Sequence, residues 1–360
     1  MKIAPRSTSL LNSAAIVAIL AAILVVTLLP TGTAPPSPFS GFAIGRRHVG
    51  DAILNFCLFV PLGAAIGWNG RSAVVAGVSG LLAATLIELL QMIVPGRDPA
   101  LSDILLNGAG TLAGAVIARR RQAWMRPSTA ASATLTAGSL CVAAVMMAAT
   151  AYLLFPVPGT PARGSRYLAL PSSPGDAAAD IRSLISIQIP FAPEPVFVAR
   201  SGDDLLLRYP SRGSSYGFDQ PEYWSVGAFD RRTSGEGLLV TVSREGARWD
   251  IAIGPERARL GPTLGQGWTT LAYPDAIGRR WGALLNGLWL FAFSFPAGFW
   301  ARGTLRVVSL VIIFALLAVL PAFTGIVSTR LHEWAGALMG FAGGVALAAL
   351  DTRRLSRRRA

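Results

Sequence analysis

Residues 51–121 read DAILNFCLFVPLGAAIGWNGRSAVVAGVSGLLAATLIELLQMIVPGRDPALSDILLNGAGTLAGAVIARRR. Three apolar runs occur in this stretch, and their polar residues fall towards one end of each run: Asn55 in the first, Glu88 and Gln91 in the second, Asp103 and Asn107 in the third. Arg97 lies in the loop between the last two. Each run is close to the roughly 20 residues that a helix needs to cross a bilayer. Polar and ionisable side chains are costly in hydrocarbon, so such residues are functional-site candidates by default.

The remainder of the chain has the same character. Of 360 residues, 52% are hydrophobic and 14% charged, against about 25% charged in an ordinary soluble domain. Eight runs qualify as spans: Ala14–Leu29, Ala52–Trp68, Ala73–Val94, Ile104–Ala118, Leu135–Phe155, Trp281–Trp300, Leu305–Phe323 and Trp334–Leu350. Lys2 and Arg6 precede the first, as they would in a signal peptide. The later spans and the poor cleavage site at Thr31–Ala34 favour a retained anchor.

The net charge of +13 is mainly a topology signal. Arg119, Arg120, Arg121 and Arg126 follow the fourth span, and Arg353, Arg354, Arg357, Arg358 and Arg359 follow the eighth. Such clusters mark cytoplasmic flanks. Both termini are therefore expected on the cytoplasmic side of the membrane, with Arg46 and Arg47 on the outside as the exception. No nucleic-acid partner is expected. Two cysteines, Cys57 and Cys141, and two histidines, His48 and His332, give no metal-ligand spacing. Neither metal nor cofactor is expected.

These signals divide the chain into residues 1–50, a first span and external loop; 51–126, a helical core; 127–156, a fifth span; 157–278, a linker and external β domain; and 279–360, three spans and a basic tail. Pro156–Asp180 reads as linker. Strand character follows at Leu184–Ile189, Val196–Arg200, Leu205–Tyr209, Trp224–Phe229, Leu238–Ser243, Trp249–Ile253 and Thr269–Tyr273, which predicts an antiparallel sandwich. The fold class is thus a polytopic α-helical membrane protein with one extracytoplasmic β-sandwich. No internal repeat stands out.

Gly77, Gly80, Ala84, Glu88 and Gln91 share a helical face, as do Asp103, Asn107, Gly110 and Gly114. The short Pro95–Ser102 loop predicts that these two stripes face each other as antiparallel neighbours. Gly110 and Gly114 form a small-xxx-small pair. At about 1.5 Å per residue, Glu88 lies roughly 10 Å below the outer helix end and Asn107 about 6–8 Å below its own. Three uses of the cluster are open: a structural lock on the hairpin, a ligand or lipid site, and catalysis. In the third, Glu88 or Asp103 exchanges a proton, and Arg97 holds an anionic group.

Asn55-Phe56, Phe59-Val60-Pro61-Leu62-Gly63, Ile87-Glu88-Leu89-Leu90-Gln91, Arg97 and Ser102-Asp103-Ile104-Leu105-Leu106-Asn107, with Gly110 and Gly114, resemble the VanZ-like family of bacterial membrane proteins. The resemblance implies an envelope role with a link to teicoplanin susceptibility, and it singles out Asn55, Glu88, Gln91, Arg97, Asp103 and Asn107. The β insertion and the stretch from Leu285 to Trp300 resemble longer members that carry a concanavalin-like (laminin-G-like) sandwich, which implies glycan contact. The expected partners are membrane lipids and a cell-wall precursor or glycan. A non-enzymatic binding role is expected, with an enzyme acting on a lipid-linked substrate second and a transporter third; no repeated half supports the last. Tyr209, Tyr216, Tyr223, Trp224, Trp249, Trp268 and Tyr273 are candidate sugar platforms, Asp203, Asp204 and Asp219 a weak calcium candidate, and Arg330, His332 and Glu333 interfacial anchors. Trp281, Trp300 and Trp334 fit an aromatic belt at the span ends.

Overall fold

The computed structural model describes residues 6–30, 35, 38–39, 41–42, 45, 48–168, 185–188, 195–201, 204–218, 220–227, 238–253, 256–271 and 278–359. Two compact units divide it, residues 1–128 and 129–360.

The first unit contains α1 (Arg6–Leu28), α2 (Val49–Trp68), α3 (Ala73–Gln91), α4 (Leu101–Arg119) and the short α5 (Arg121–Met125). In the second, α6 (Thr129–Leu153) is followed by eight strands and then by α7 (Gly278–Trp300), α8 (Thr304–Thr324) and α9 (Leu331–Arg359). Seven of these helices, α2–α4 and α6–α9, are long and apolar enough to cross a membrane. The eighth expected span, α1, has a described apolar part of Ser13–Leu28, about 24 Å long at 1.5 Å per residue.

Close packing in the first unit occurs between α2 and α4. A Cβ on Gly110 would lie 2.1 Å from the Phe56 carbonyl oxygen, one on Gly114 2.0 Å from that of Val60, and one on Gly63 1.8 Å from that of Thr111. Backbone therefore meets backbone along this pair, as small residues permit in apolar surroundings. This corrects the expectation that the α4 glycines face α3. Chain adjacency suggested α3, but α3 instead packs Gly80 against the Thr111 side chain.

The same arrangement recurs in the second unit. Gly340 of α9 approaches the Phe291 carbonyl, Gly344 that of Phe295, and Gly298 of α7 that of Phe341. At constant offset along each helix, Phe56, Val60, Pro61 and Gly63 correspond to Phe291, Phe295, Pro296 and Gly298. Gly110, Thr111 and Gly114 correspond likewise to Gly340, Phe341 and Gly344. The α2–α4 and α7–α9 pairs are thus two copies of one helix-pair arrangement, one in each unit. No repeat stands out in the sequence, and what recurs in the packing is this helix pair. The copies share few side chains beyond glycine, proline and one acid.

The strands form two antiparallel sheets, ordered β1-β6-β7-β8 and β2-β3-β4-β5: β1 (Arg163–Leu168), β2 (Ile185–Ile187), β3 (Val196–Ser201), β4 (Asp204–Arg208), β5 (Glu222–Ser225), β6 (Leu238–Glu245), β7 (Arg248–Ile253) and β8 (Glu256–Leu260). Val196, Val198, Leu205, Leu207 and Tyr223 of one sheet share a core with Val240, Val242, Trp249, Ile251 and Leu260 of the other, which makes a sandwich. The two strands not anticipated, β1 and β8, are both edges. Charge on an edge blocks further pairing, and the Glu-Arg-Ala-Arg-Leu sequence of β8 hides its strand character. Thr269–Tyr273, expected as a strand, enters a 3-10 turn over Leu264–Thr270, started by a capping box between Thr263 and Gln266; Tyr273 lies outside the described residues.

The sandwich is tied to the helix ends of its own unit. The Tyr209 hydroxyl donates to the Leu154 carbonyl at 3.0 Å, Ala247 N–H to Gly325 O at 2.9 Å and Val327 N–H to Pro262 O at 2.9 Å.

Two predictions follow from this packing. Gly110→Val and Gly340→Val should each lower stability by about 1–3 kcal/mol through overpacking in thermal unfolding of the purified protein. Gly138→Ala, with nothing within 4 Å of the new atom, should change it little. Burial pushes the Tyr209 and Tyr223 hydroxyls above their ordinary range. Their raised folded-state pKa favours folding below the unfolded value of about 10, and that stability is lost as pH rises through the folded value. Alkaline unfolding should begin at higher pH in Tyr223→Phe than in the parent chain.

Candidate functional site

The amino ends of α2 and α4 and the carboxyl end of α3 meet at one end of the first unit. Glu88, on α3, is 2% exposed and accepts from the Ala100 N–H at 2.9 Å. Ala100 is the N-cap of α4 and has no side-chain cap of its own. Glu88 therefore supplies from a neighbouring helix the acceptor that an α-helix start requires.

Gln91 and Arg97 serve a third helix. Gln91 donates through Nε2 to the Thr27 carbonyl at 3.0 Å. Arg97 donates through Nε to Leu29 O at 3.0 Å and through Nη2 to Val26 O at 2.9 Å. Both occupy carbonyls at the carboxyl end of α1, where a cation is also favoured by the helix dipole. The Arg97 guanidinium, expected as an anion clamp, is engaged with backbone.

Asp103 is half-buried. It accepts from the Ser102 hydroxyl at 3.3 Å, and the Asn55 side chain also hydrogen-bonds it. Asp51 and His48 lie close enough to act on it electrostatically, and they pair with each other at 4.0 Å. Asp103 and Arg97 act likewise on Glu88. One turn below Asp103 on α4, Asn107 is 2% exposed and its Oδ1 is buried without a partner.

A cavity of about 360 Å³ opens beside this cluster, lined by Phe42, Gly45, His48, Val49, Ala52, Ser102, Leu105 and Leu106. The expected residues thus fall into two groups. His48 and Ser102 line the cavity, with Asp103, Asn55 and Asp51 grouped behind them and Asn107 one turn below Asp103, whereas Gln91 and Arg97 hold the end of α1. Glu88 lies between the groups. His48 and Asp51 were not expected in the site; their three-residue spacing at the start of an apolar run was the available signal.

The second unit has a counterpart. Glu333, expected as an interfacial anchor, is 0% exposed. Its Oε1 accepts from the Thr263 hydroxyl and, at 3.3 Å, from the Asn286 amide. Its Oε2 accepts from Arg330 N–H at 3.0 Å. The Trp268 indole donates to Asn286 Oδ1 at 2.8 Å.

Other candidates find structural places. Tyr209, Tyr223 and Trp249 fill the sandwich core, so they are not sugar platforms; Tyr216 and Trp224 are partly buried. Asp204 is buried and accepts from Gly227 N–H at 2.9 Å, while Asp203 and Asp219 lie outside the described residues. Among the described residues no group of His, Cys, Asp and Glu is placed to hold a metal.

Long apolar helices with a separate two-sheet region define a polytopic helical membrane protein. Residues 9–124 match the family model described as VanZ/LLP1, so this first part of the chain is similar to that family. The match covers the first copy and ends before the second. No curated protein and no solved structure matches the chain.

Glu88→Leu should cost about 1–3 kcal/mol by leaving the Ala100 N–H unpaired; Glu88→Gln, which keeps an acceptor, should cost less in the same unfolding assay. Arg97→Met should speed amide exchange at the end of α1, the region whose carbonyls it holds.

Proposed function

We propose that the first unit binds an envelope amphiphile at the open end of its α2–α4 pair, and that the protein organises such a component without transforming it. The observation that carries this reading is the 360 Å³ apolar cavity whose polar lining is His48 and Ser102, the latter hydrogen-bonded to Asp103. An apolar pocket with a few convergent polar groups is the usual form of a small-ligand site. An apolar chain fits the lining of Val49, Ala52, Leu105 and Leu106, and a polar headgroup fits the cluster above it.

The proposal places the protein in the bacterial cytoplasmic membrane with both termini cytoplasmic and the sandwich outside. The basic clusters after α4 and within α9 support that orientation. An effect on glycopeptide susceptibility, implied by the family resemblance, is the corresponding phenotype. The enzyme reading is weaker, because Glu88 is occupied at the start of α4 and Asp103 is left as the acid/base candidate. The transporter reading gains one specific observation, the glycine-packed helix pair that recurs in the two units, since many transporters are built from repeats. Flux of a labelled amphiphile across proteoliposomes would favour it over static binding.

Native mass spectrometry of the protein released gently from membranes tests the proposal. A retained amphiphile, lost in Ala52→Phe at unchanged melting temperature, is the expected result. Release with no amphiphile, or the same occupancy in the variant, would contradict it. A reporter fused at Ser214 should read as external.

A further inference from the structure

The two copies differ at the end where their acids lie. In the second, the Glu333 carboxylate is occupied by donors from its own chain: the Thr263 hydroxyl, the Asn286 amide and the Arg330 N–H. Thr263 starts the 3-10 turn that lies over the α7–α9 end, and Trp268 of that turn holds Asn286 in place. The helices also close there. A Cβ on Gly336 would lie 2.2 Å from the Gly287 carbonyl oxygen.

By the register that matches the glycine contacts, Glu333, Asn286, Gly287 and Gly336 correspond to Asp103, Asp51, Ala52 and Leu106. Where two glycines touch in the second copy, the first has two side chains, and both line the open cavity. Where a buried acid has an amide opposite it, the first copy has a half-exposed acid with a second acid nearby. The Asn107 acceptor one turn below Asp103 is buried and unpaired. The first copy therefore has acceptors and space at the position that the second fills with a hydroxyl and an amide.

We propose that the open end of the first copy receives the hydroxyl groups of a neutral polyhydroxylated lipid headgroup, which donate to Asp103 and Asp51 as Thr263 and Asn286 donate to Glu333. This rests on the amphiphile-binding reading above and narrows it to a chemical class. Hydrogen bonds from hydroxyls to a carboxylate are charge-assisted and short. Two carboxylates near one mouth disfavour an anionic headgroup: His48, paired with Asp51 at 4.0 Å, offsets them only when protonated, and Arg97 is engaged at the end of α1. A lipid is favoured over a free sugar because the cavity is walled by Val49, Ala52, Leu105 and Leu106. Val49 and Leu105 are also exposed on the outer face of their helices, which gives an acyl chain a continuous apolar path.

The test uses the full chain in phosphatidylcholine nanodiscs, with lipid binding read by native mass spectrometry. The probes are a dihexosyl diacylglycerol, phosphatidylglycerol and a free disaccharide. The glycolipid should bind at least tenfold more tightly than phosphatidylglycerol. Asp51→Asn/Asp103→Asn, which removes both charges, should weaken glycolipid binding about tenfold and narrow the preference. Ala52→Phe, which fills the cavity without touching either acid, should abolish binding; melting temperature in the same discs identifies a variant that has not folded. Preference for phosphatidylglycerol, or glycolipid binding unaffected by Asp51→Asn/Asp103→Asn but lost in Ala52→Phe, overturns the inference and leaves amphiphile binding standing; binding unaffected by both variants overturns both readings. A free disaccharide that binds as tightly as the glycolipid overturns the lipid source. Failure of every lipid to bind overturns both readings.

Discussion

The organising constraint is the contact of two helix backbones through glycine. In apolar surroundings there is little hydrophobic force to press helices together, so close van der Waals approach has to supply the attraction. Gly63, Gly110 and Gly114 bring α2 against α4, and Gly298, Gly340 and Gly344 bring α7 against α9. Any larger side chain at these positions would meet a carbonyl oxygen. The register of each pair is therefore fixed, and with it the positions of Asn55, Asp103 and Asn107 in one copy and of Asn286 and Glu333 in the other.

Once that register is fixed, the buried polar groups have clear uses. Glu88 completes the start of α4, and Gln91 and Arg97 complete the end of α1. Helix ends carry backbone groups without intrahelical partners, and leaving them unpaired in hydrocarbon costs several kcal/mol each. Much of the polar cluster is thus structural. What stands apart is the group around Asp103, which borders space and leaves a buried acceptor unpaired.

The spans were legible because length and hydropathy report them directly. The site residues were legible as polar interruptions in apolar runs, but their uses were not. Arg97 looks like an anion clamp until the carbonyls of Val26 and Leu29, distant in the chain, are seen beside it. Glu333 looks like a flank of the last span, since nothing in Leu-His-Glu-Trp announces the Thr263 hydroxyl that covers it. Gly110 and Gly114 were recognisable as a packing pair, but chain adjacency suggested the wrong partner. The duplication was hidden because it survives in backbone contacts and a few glycines, and backbone contacts have little sequence signature.

The most direct test of the account is a density map of the full chain purified from its own membrane without delipidation. It should show an ordered headgroup between α2 and α4 beside Asp103, with none between α7 and α9, where Thr263 covers Glu333. An empty or collapsed α2–α4 end, with Ala52 closed against Leu106 as Gly287 is against Gly336, would contradict the account.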